Sequence, residues 1–189
     1  MASGSSLDRE ALAYAIRIPD SPGNQWKMFS AFRGTRTFTE MAAGDSWDRQ
    51  ALLSFLKIPN DAQLKVEAFD ALRGGRTFEE MAQGNGLDIS AMIAILKTNS
   101  NASLKTKIIK NLWEQRHNPH TGKYTNTIIS TANVILADTT HSNTIRTLGR
   151  VVNDYETENG LALSVYQKKG KGNRHPDGRG KQGSNYRGS

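Results

Sequence analysis

The sequence predicts an all-α protein built from tandem three-helix repeats of roughly 40 residues, followed by a smaller helical region and a disordered basic tail. The segment RGTRTFTEMAAG, which begins at Arg33, returns as RGGRTFEEMAQG from Arg73 without a gap. In each copy the apolar residues recur at the spacing of one helix face. The C-terminal segment, 168–189, is rich in glycine, lysine and arginine. A fixed period of this length is typical of stacked repeats, in which neighbouring units share a core.

The register set by Arg33 and Arg73 extends on both sides of that segment and reaches a third copy. The predicted repeat domain, 7–117, therefore divides into units 7–46, 47–86 and 87–117. Some aligned positions are apolar, as in Ile16, Leu56 and Leu96. Others carry one charge in every copy: Asp8, Asp48 and Asp88; Arg17, Lys57 and Lys97; Arg36, Arg76 and Arg116. Chance is a poor explanation for such agreement, so we interpret the units as duplications.

Each unit is expected to contain two longer helices and a short one. The first helices are predicted at about 7–18, 47–58 and 87–98, and the second at about 25–33, 62–73 and 103–116. The short helices are predicted at 37–43 and 77–83. The predicted N-caps are Ser6, Ser46 and Gly86 for the first helices, and Thr37 and Thr77, in capping boxes with Glu40 and Glu80, for the short ones. The predicted helix terminators are Pro19, Pro59, Gly34 and Gly74.

The remaining segments are less regular. Residues 1–6 are expected to be a flexible leader, and 118–167 a mainly helical region that caps the repeats or makes an oligomer contact. Within it, 124–140 is rich in β-branched residues and fits either a helix or a strand. Ser142 is the predicted N-cap of a further helix that ends at Gly160.

Composition excludes several classes of protein. The chain has no cysteine, which rules out disulfides, thiol nucleophiles and cysteine-ligated metals. The N-terminus lacks the pattern of a secretory signal, and no apolar stretch is long enough to span a bilayer. We therefore expect no membrane partner and a location in the cytoplasm, or in the virion interior if the protein is viral.

The formal net charge of +7 is concentrated in the tail. Residues 168–189 contain one acid, Asp177, and seven cations: Lys168, Lys169, Lys171, Arg174, Arg179, Lys181 and Arg187. Such a segment has too few apolar residues to offset its ordering entropy. Lysine and arginine separated by glycine are typical of arms that contact nucleic-acid phosphates.

A second basic feature lies within the repeats. Arg33, Arg36, Arg73 and Arg76 follow the second helices at equivalent places. If the units stack, these side chains would form a row suited to phosphate groups, continued by Arg116 and by Lys105, Lys107 and Lys110. The alternative is that they complement the helix C-termini and pair with Glu40 or Glu80.

The short helix, its turn and the next first helix resemble the general helix-turn-helix pattern, with Ala82 four positions before Gly86. In a major groove the second helix would present Asp88, Ile89 and Ser90, or Asp48, Arg49 and Gln50. Only Arg49 and Gln50 are good base readers, and an aspartate repels phosphate. This pattern predicts a transcriptional regulator as one alternative function.

We find no phosphate-binding loop, nucleophile elbow or other catalytic motif. The favoured expectation is a non-enzymatic nucleic-acid-binding protein, for RNA or DNA, with a packaging, nucleocapsid-like or replication accessory role. It needs no cofactor, metal or small-molecule substrate, and self-association into a homo-oligomer is compatible with it. A helical assembly scaffold is the remaining alternative.

Overall fold

The computed structural model describes residues 6–18, 21–59 and 61–162, and for residues 6 and 7 the backbone alone. Within those ranges the regular structure is entirely helical, as predicted. The helices are α1 (Ser6–Arg17), α2 (Pro22–Arg33), α3 (Phe38–Ala42), α4 (Ser46–Lys57), α5 (Ala62–Arg73), α6 (Phe78–Ala82), α7 (Gly86–Leu96), α8 (Ala102–Glu114), α9 (Pro119–Gly122), α10 (Thr125–Asp138) and α11 (Ser142–Glu158).

Helix start positions recur along the chain at one constant offset. Helices α4, α5 and α6 each begin 40 residues after α1, α2 and α3, respectively, as from Ser6 to Ser46. Helices α7 and α8 begin at the same offset after α4 and α5. The spacing continues beyond Arg116, because α9, α10 and α11 follow α6, α7 and α8 at the same offset to within one position. The order of two longer helices and a short one thus persists where the residue match has ended.

The three predicted N-caps of the first helices, Ser6, Ser46 and Gly86, are instead the first residues within α1, α4 and α7. Helices α4 and α7 are capped by Asp45 and Asn85, not by Ser46 and Gly86, which are the first residues within each helix. The Asp45 carboxylate accepts hydrogen bonds from the backbone N–H groups of Trp47 and Asp48 at 2.9 and 3.0 Å. The carboxylate at this position thus satisfies two of the free N–H groups of the first turn.

Other helix ends follow local chemistry. The capping boxes at Thr37 and Thr77 form as predicted. Helix α2 begins earlier than predicted, because Ser21 caps it and Pro22 occupies its first turn. The prediction that Pro19 ends α1 falls on a residue outside the described ranges.

The segment left open between helix and strand is helix α10. Its buried residues Ile128, Ala132, Ile135 and Leu136 lie on one helical face. The predicted cap Ser142 is instead the first residue of α11, and its neighbour His141 stands at the cap without a side-chain hydrogen bond. The predicted end at Gly160 is confirmed by a positive φ of 64°.

Helix α7 is the centre of the fold. It contacts α4, α5, α6, α8, α9 and α10, and every residue from Ala91 to Leu96 is buried. A helix that is apolar on all sides is stable only inside a protein. Since α4 packs between α1 and α7, and α7 packs against α10, the first helices follow one another in a row.

Candidate nucleic-acid interface

The arginines predicted to contact phosphates mostly bind groups within the protein. Arg36 donates from Nη1 to the Asp48 carboxylate at 2.7 Å. Its Nη2 and Nε donate to the carbonyl oxygens of Phe32 and Arg33, at 2.8 and 3.1 Å. One guanidinium group therefore satisfies the last carbonyls of α2 and ties that helix to α4.

Arg76 makes the same contacts one unit later. Its two terminal nitrogens donate to the two oxygens of Asp88, each at 2.9 Å, and the carbonyl oxygens of Leu72 and Arg73 accept at 3.0 and 3.1 Å. The hydrogen bond to Asp88 raises the pKa of Arg76. We call the pairs Arg36–Asp48 and Arg76–Asp88 the arginine clamps, since the first joins the end of α2 to α4 and the second joins the end of α5 to α7.

The aspartates of the clamps are buried, with 3% of Asp48 and 2% of Asp88 exposed. Glycine makes room for both, because a methyl group at Gly44 or Gly84 would overlap the neighbouring carboxylate. Neither glycine has a positive φ, so the close approach of the carboxylate, and not the turn, requires glycine at these positions.

Arg116 finds a different acid. It pairs with Glu158 of α11, and its guanidinium carbon lies 4.6 Å from the centre of the Trp113 ring. The hydrogen bond from Arg116 lowers the pKa of Glu158. Arg116 thus makes a similar link between α8 and α11, although Ile128 stands where the register of the clamps would place an aspartate.

Arg33 and Arg73 are half-buried and lie over the rings of Phe38 and Phe78, at 5.3 and 5.4 Å. Arg73 also pairs with Asp70. The contacts of the four arginines at positions 33, 36, 73 and 76 agree with the alternative interpretation, in which they complement helix C-termini. Their carboxylate partners, however, are not the predicted ones. Glu40 and Glu80 accept from the capping threonines, and Asp48 and Asp88 take the arginines instead.

The three predicted lysines of α8 differ in exposure. Lys107 and Lys110 are exposed, and Lys110 lies 3.7 Å from Glu114. Lys105 is half-buried, and this burial lowers its pKa. Their continuation of the arginine row stays a prediction, and the predicted tail residues, 168–189, lie outside the described part of the chain.

The helix-turn-helix expectation conflicts with burial. Asp48, Asp88 and Ile89, which would face a DNA groove, are 3%, 2% and 0% exposed. They are unavailable to bases because they pack inside the repeat or hold its arginine. Arg49 and Gln50 remain half-exposed on α4.

Two equivalent cavities, each of about 540 Å³, lie beside the row of first helices. Most residues of the first cavity have their repeat counterparts in the second. In the first cavity these are Ile16, Arg17, Gln25, Gln50, Leu53, Ser54 and Lys57; in the second they are Leu56, Lys57, Lys65, Ser90, Ile93, Ala94 and Lys97. Lys57 borders both cavities.

Arg17, Lys57 and Lys97 form what we call the cation row. They stand at the C-terminal ends of α1, α4 and α7, where a positive charge is favourable. All three are exposed. Within the described residues none of them is paired with a carboxylate, and Arg17 only lies over the ring of Tyr14. In this they differ from the clamp arginines, whose guanidinium groups bind Asp48 and Asp88.

Lys65 is the most buried cation of this surface. It is 7% exposed and lines the second cavity. Burial lowers the pKa of its ammonium group. Among the described residues no acceptor or carboxylate contacts that group.

The sequence prediction did not single out the cation row or Lys65. The available signal was the alignment itself, in which residues 17, 57 and 97 are cationic in every copy. The prediction instead selected the aligned arginines, Arg36, Arg76 and Arg116, although aspartates also recur at one aligned position.

No protein-family model, curated protein or solved structure matches the chain. Among the helices that the structure describes, none has both the length and the apolar character required to cross a membrane. The same part of the chain holds no group of three or more histidine, aspartate or glutamate residues placed to bind a metal ion.

Proposed function

We propose that this is a non-enzymatic nucleic-acid-binding protein whose folded contact surface is the cation row. The observation that supports the proposal is that Arg17, Lys57 and Lys97 are exposed at the same place in three successive units and have no carboxylate partner among the described residues. A packaging, nucleocapsid-like or replication accessory role is consistent with binding of this kind.

Regular spacing is the physical reason to favour a polymer. Nucleic acids carry phosphates at regular intervals, and cations that neutralise them release condensed counterions. Cations at one repeated position contact the backbone and read no bases, so binding would have little sequence preference. The tail, 168–189, would add seven cations of the same kind.

The repeat interpretation belongs to the same proposal. We propose that units 7–46, 47–86 and 87–117 are copies of one unit, and that α9, α10 and α11 are a diverged fourth copy. The recurrence of helix start positions at a nearly constant offset supports this. The arginine clamps would then hold consecutive units in the orientation that places the cation row on one surface.

The experiment is a salt titration of binding to RNA and duplex DNA of unrelated sequences. The variant R17Q/K57Q/K97Q is compared with R150Q, which removes a cation whose side chain is 84% exposed on α11. Three lost phosphate contacts should lower the slope of log affinity against log salt by about 2 to 3. R150Q should change it by less than about 1.

An unchanged slope in the triple variant, with native circular dichroism, would overturn the cation row as the contact surface. Tight binding to one duplex and none to a scrambled one would instead favour the helix-turn-helix regulator. Self-association without any nucleic-acid binding by the full chain would favour the scaffold.

A further inference from the structure

The second cavity is lined by more positive charge than the packing of the surrounding helices requires. Lys57, Lys65 and Lys97 line it, and none of its described lining residues is acidic. Its hydroxyl-bearing residues, Ser90 and Tyr124, are further hydrogen-bond donors. Three cationic side chains that line one cavity give it a positive potential, which favours the binding of an anion.

The first cavity shows how this position is used when it serves the fold. There Gln25 takes the place of Lys65, and its side-chain amide donates to the carbonyl oxygens of Ile16 and Ile18, at 3.4 and 3.1 Å. Lys65 makes no such hydrogen bond to the end of α4 among the described residues. The lysine therefore does not replace the glutamine as a helix-capping group.

Position along the helix makes this lysine more unusual. Lys65 is the fourth residue of α5, close to the positive end of the helix, where a cation is unfavourable. The side chain of Lys65 is also largely buried, and this loss of hydration disfavours its charged form. An anion from outside the chain would relieve both effects.

We infer that the second cavity binds a phosphomonoester group, with Lys65, Lys57 and Lys97 as its cationic ligands. A dianionic phosphate balances three ammonium groups better than the single charge of a backbone phosphodiester. The volume of about 540 Å³ lies within the usual range for a small-molecule site and accommodates a nucleotide. The inference rests on the proposed function in one respect: a strand bound along the cation row could place its terminal phosphate here.

The experiment uses the full chain and isothermal titration calorimetry with AMP, adenosine and inorganic phosphate at constant ionic strength. Variant K65Q introduces at position 65 the residue type that lines the first cavity at position 25, and circular dichroism confirms that the variant is folded. AMP and phosphate should bind, adenosine should not, and K65Q should lower the affinity for AMP on the order of 10-fold. The matched control K105Q removes the lysine at the equivalent position of the next unit and should leave AMP binding unchanged.

A second measurement needs no variant. Amine-directed acylation followed by mass spectrometry should label Lys65, and saturating AMP should protect it more than Lys107, an exposed lysine of α8. Equal affinity of AMP for wild type and K65Q, or labelling of Lys65 that AMP does not change, would overturn the inference.

The source of the phosphate is decided with oligonucleotides that differ only at the 5′ end. A Lys65-dependent preference for a 5′-phosphate over a 5′-hydroxyl indicates a strand end, whereas AMP binding without that preference indicates a free nucleotide. Either result supports a phosphomonoester site. If AMP binds through Lys65 but no polymer binds, the proposed function fails and this inference stands. If polymers bind through the cation row and K65Q changes neither AMP binding nor strand-end binding, the proposed function stands and this inference fails.

Discussion

Arg76 and Asp88 form a bidentate ion pair, in which two guanidinium nitrogens meet two carboxylate oxygens at 2.9 Å each. The equivalent Asp48 is held by two arginines, Arg36 at 2.7 Å and Arg9 at 2.8 Å. Arg49 is the counterpart of Arg9, but it makes no ion pair with Asp88. Two buried aspartates at the same repeat position therefore differ in how many cations support them.

This difference predicts unequal effects of the same substitution. R76M leaves Asp88 buried without a counterion and should lower the free energy of unfolding by on the order of 3 kcal/mol. R36M should lower it by clearly less, because Arg9 still neutralises Asp48. Both variants lose the same hydrogen bonds to helix carbonyls, so that part of the effect cancels.

Urea unfolding followed by circular dichroism measures both changes. The double variant R9M/R36M is the control and should approach the loss seen in R76M. Equal losses in R36M and R76M would show that the second arginine gives Asp48 no protection.

Adjacent glycines at the end of α5 should respond differently to alanine. Gly74 has φ of 60°, whereas Gly75 does not have a positive φ. A methyl group meets no atom within 4 Å at either residue, so only backbone conformation separates them. G74A should destabilise by about 1 to 3 kcal/mol, and G75A should be neutral or slightly stabilising.

The first unit provides an internal check on that prediction, since Thr35 occupies the place of Gly75. G75T should therefore be tolerated as well. Thermal or urea unfolding of the three variants tests the pair, and a loss in G75T as large as that in G74A would contradict it.

Acid should weaken the fold through its capping boxes. Hydrogen bonds from Thr77 lower the pKa of Glu80 from its ordinary value of 4.5, and those from Thr37 do the same for Glu40. A carboxyl whose pKa is lower in the folded state stabilises the fold above its unfolded pKa. That stability is lost as the pH falls through the folded value.

Variant E40Q/E80Q keeps an acceptor at each capping position but cannot titrate. Its free energy of unfolding, measured from about pH 6 to about pH 2, should depend less on pH than that of the wild type. Glu158 contributes in the same direction, because Arg116 lowers its pKa, so adding E158Q should flatten the profile further. A profile that all three substitutions leave unchanged would rule out this source of acid sensitivity.

The tail should contribute to affinity by charge alone. Deleting 168–189 removes seven cations and should lower the salt slope for duplex DNA by up to about 6. A tail of the same length with every lysine and arginine changed to glutamine should behave like the deletion. Retention of the slope by the glutamine tail would indicate that the segment contributes something other than charge.

Substitution of Arg49 and Gln50 tests the alternative of base readout. R49A/Q50A should change duplex affinity by less than about threefold if binding is made through the backbone, and equally for every sequence. A loss confined to one duplex sequence would favour the helix-turn-helix function. Fluorescence anisotropy with matched and scrambled duplexes measures the difference.

Local signals in the sequence predicted much of the secondary structure. The capping boxes at Thr37 and Thr77 and the end at Gly160 depend on residues a few positions apart, so a pattern suffices to find them. The errors were also local: Asp45 and Ser46 are both good caps, and the choice between them depends on how many N–H groups the side chain reaches. Helix α10 was ambiguous because its β-branched residues favour a strand while its apolar spacing favours a helix.

The candidate site depended on the tertiary structure. From the sequence alone it follows that charges recur at a fixed period, in one aligned position of aspartates and two of cations. Only packing decided that Arg36 and Arg76 meet Asp48 and Asp88, whereas Arg17, Lys57 and Lys97 have no carboxylate partner among the described residues. The physical reason is that an ion pair depends on which charges the packed helices bring within about 4 Å, and repeat spacing carries no information about that distance.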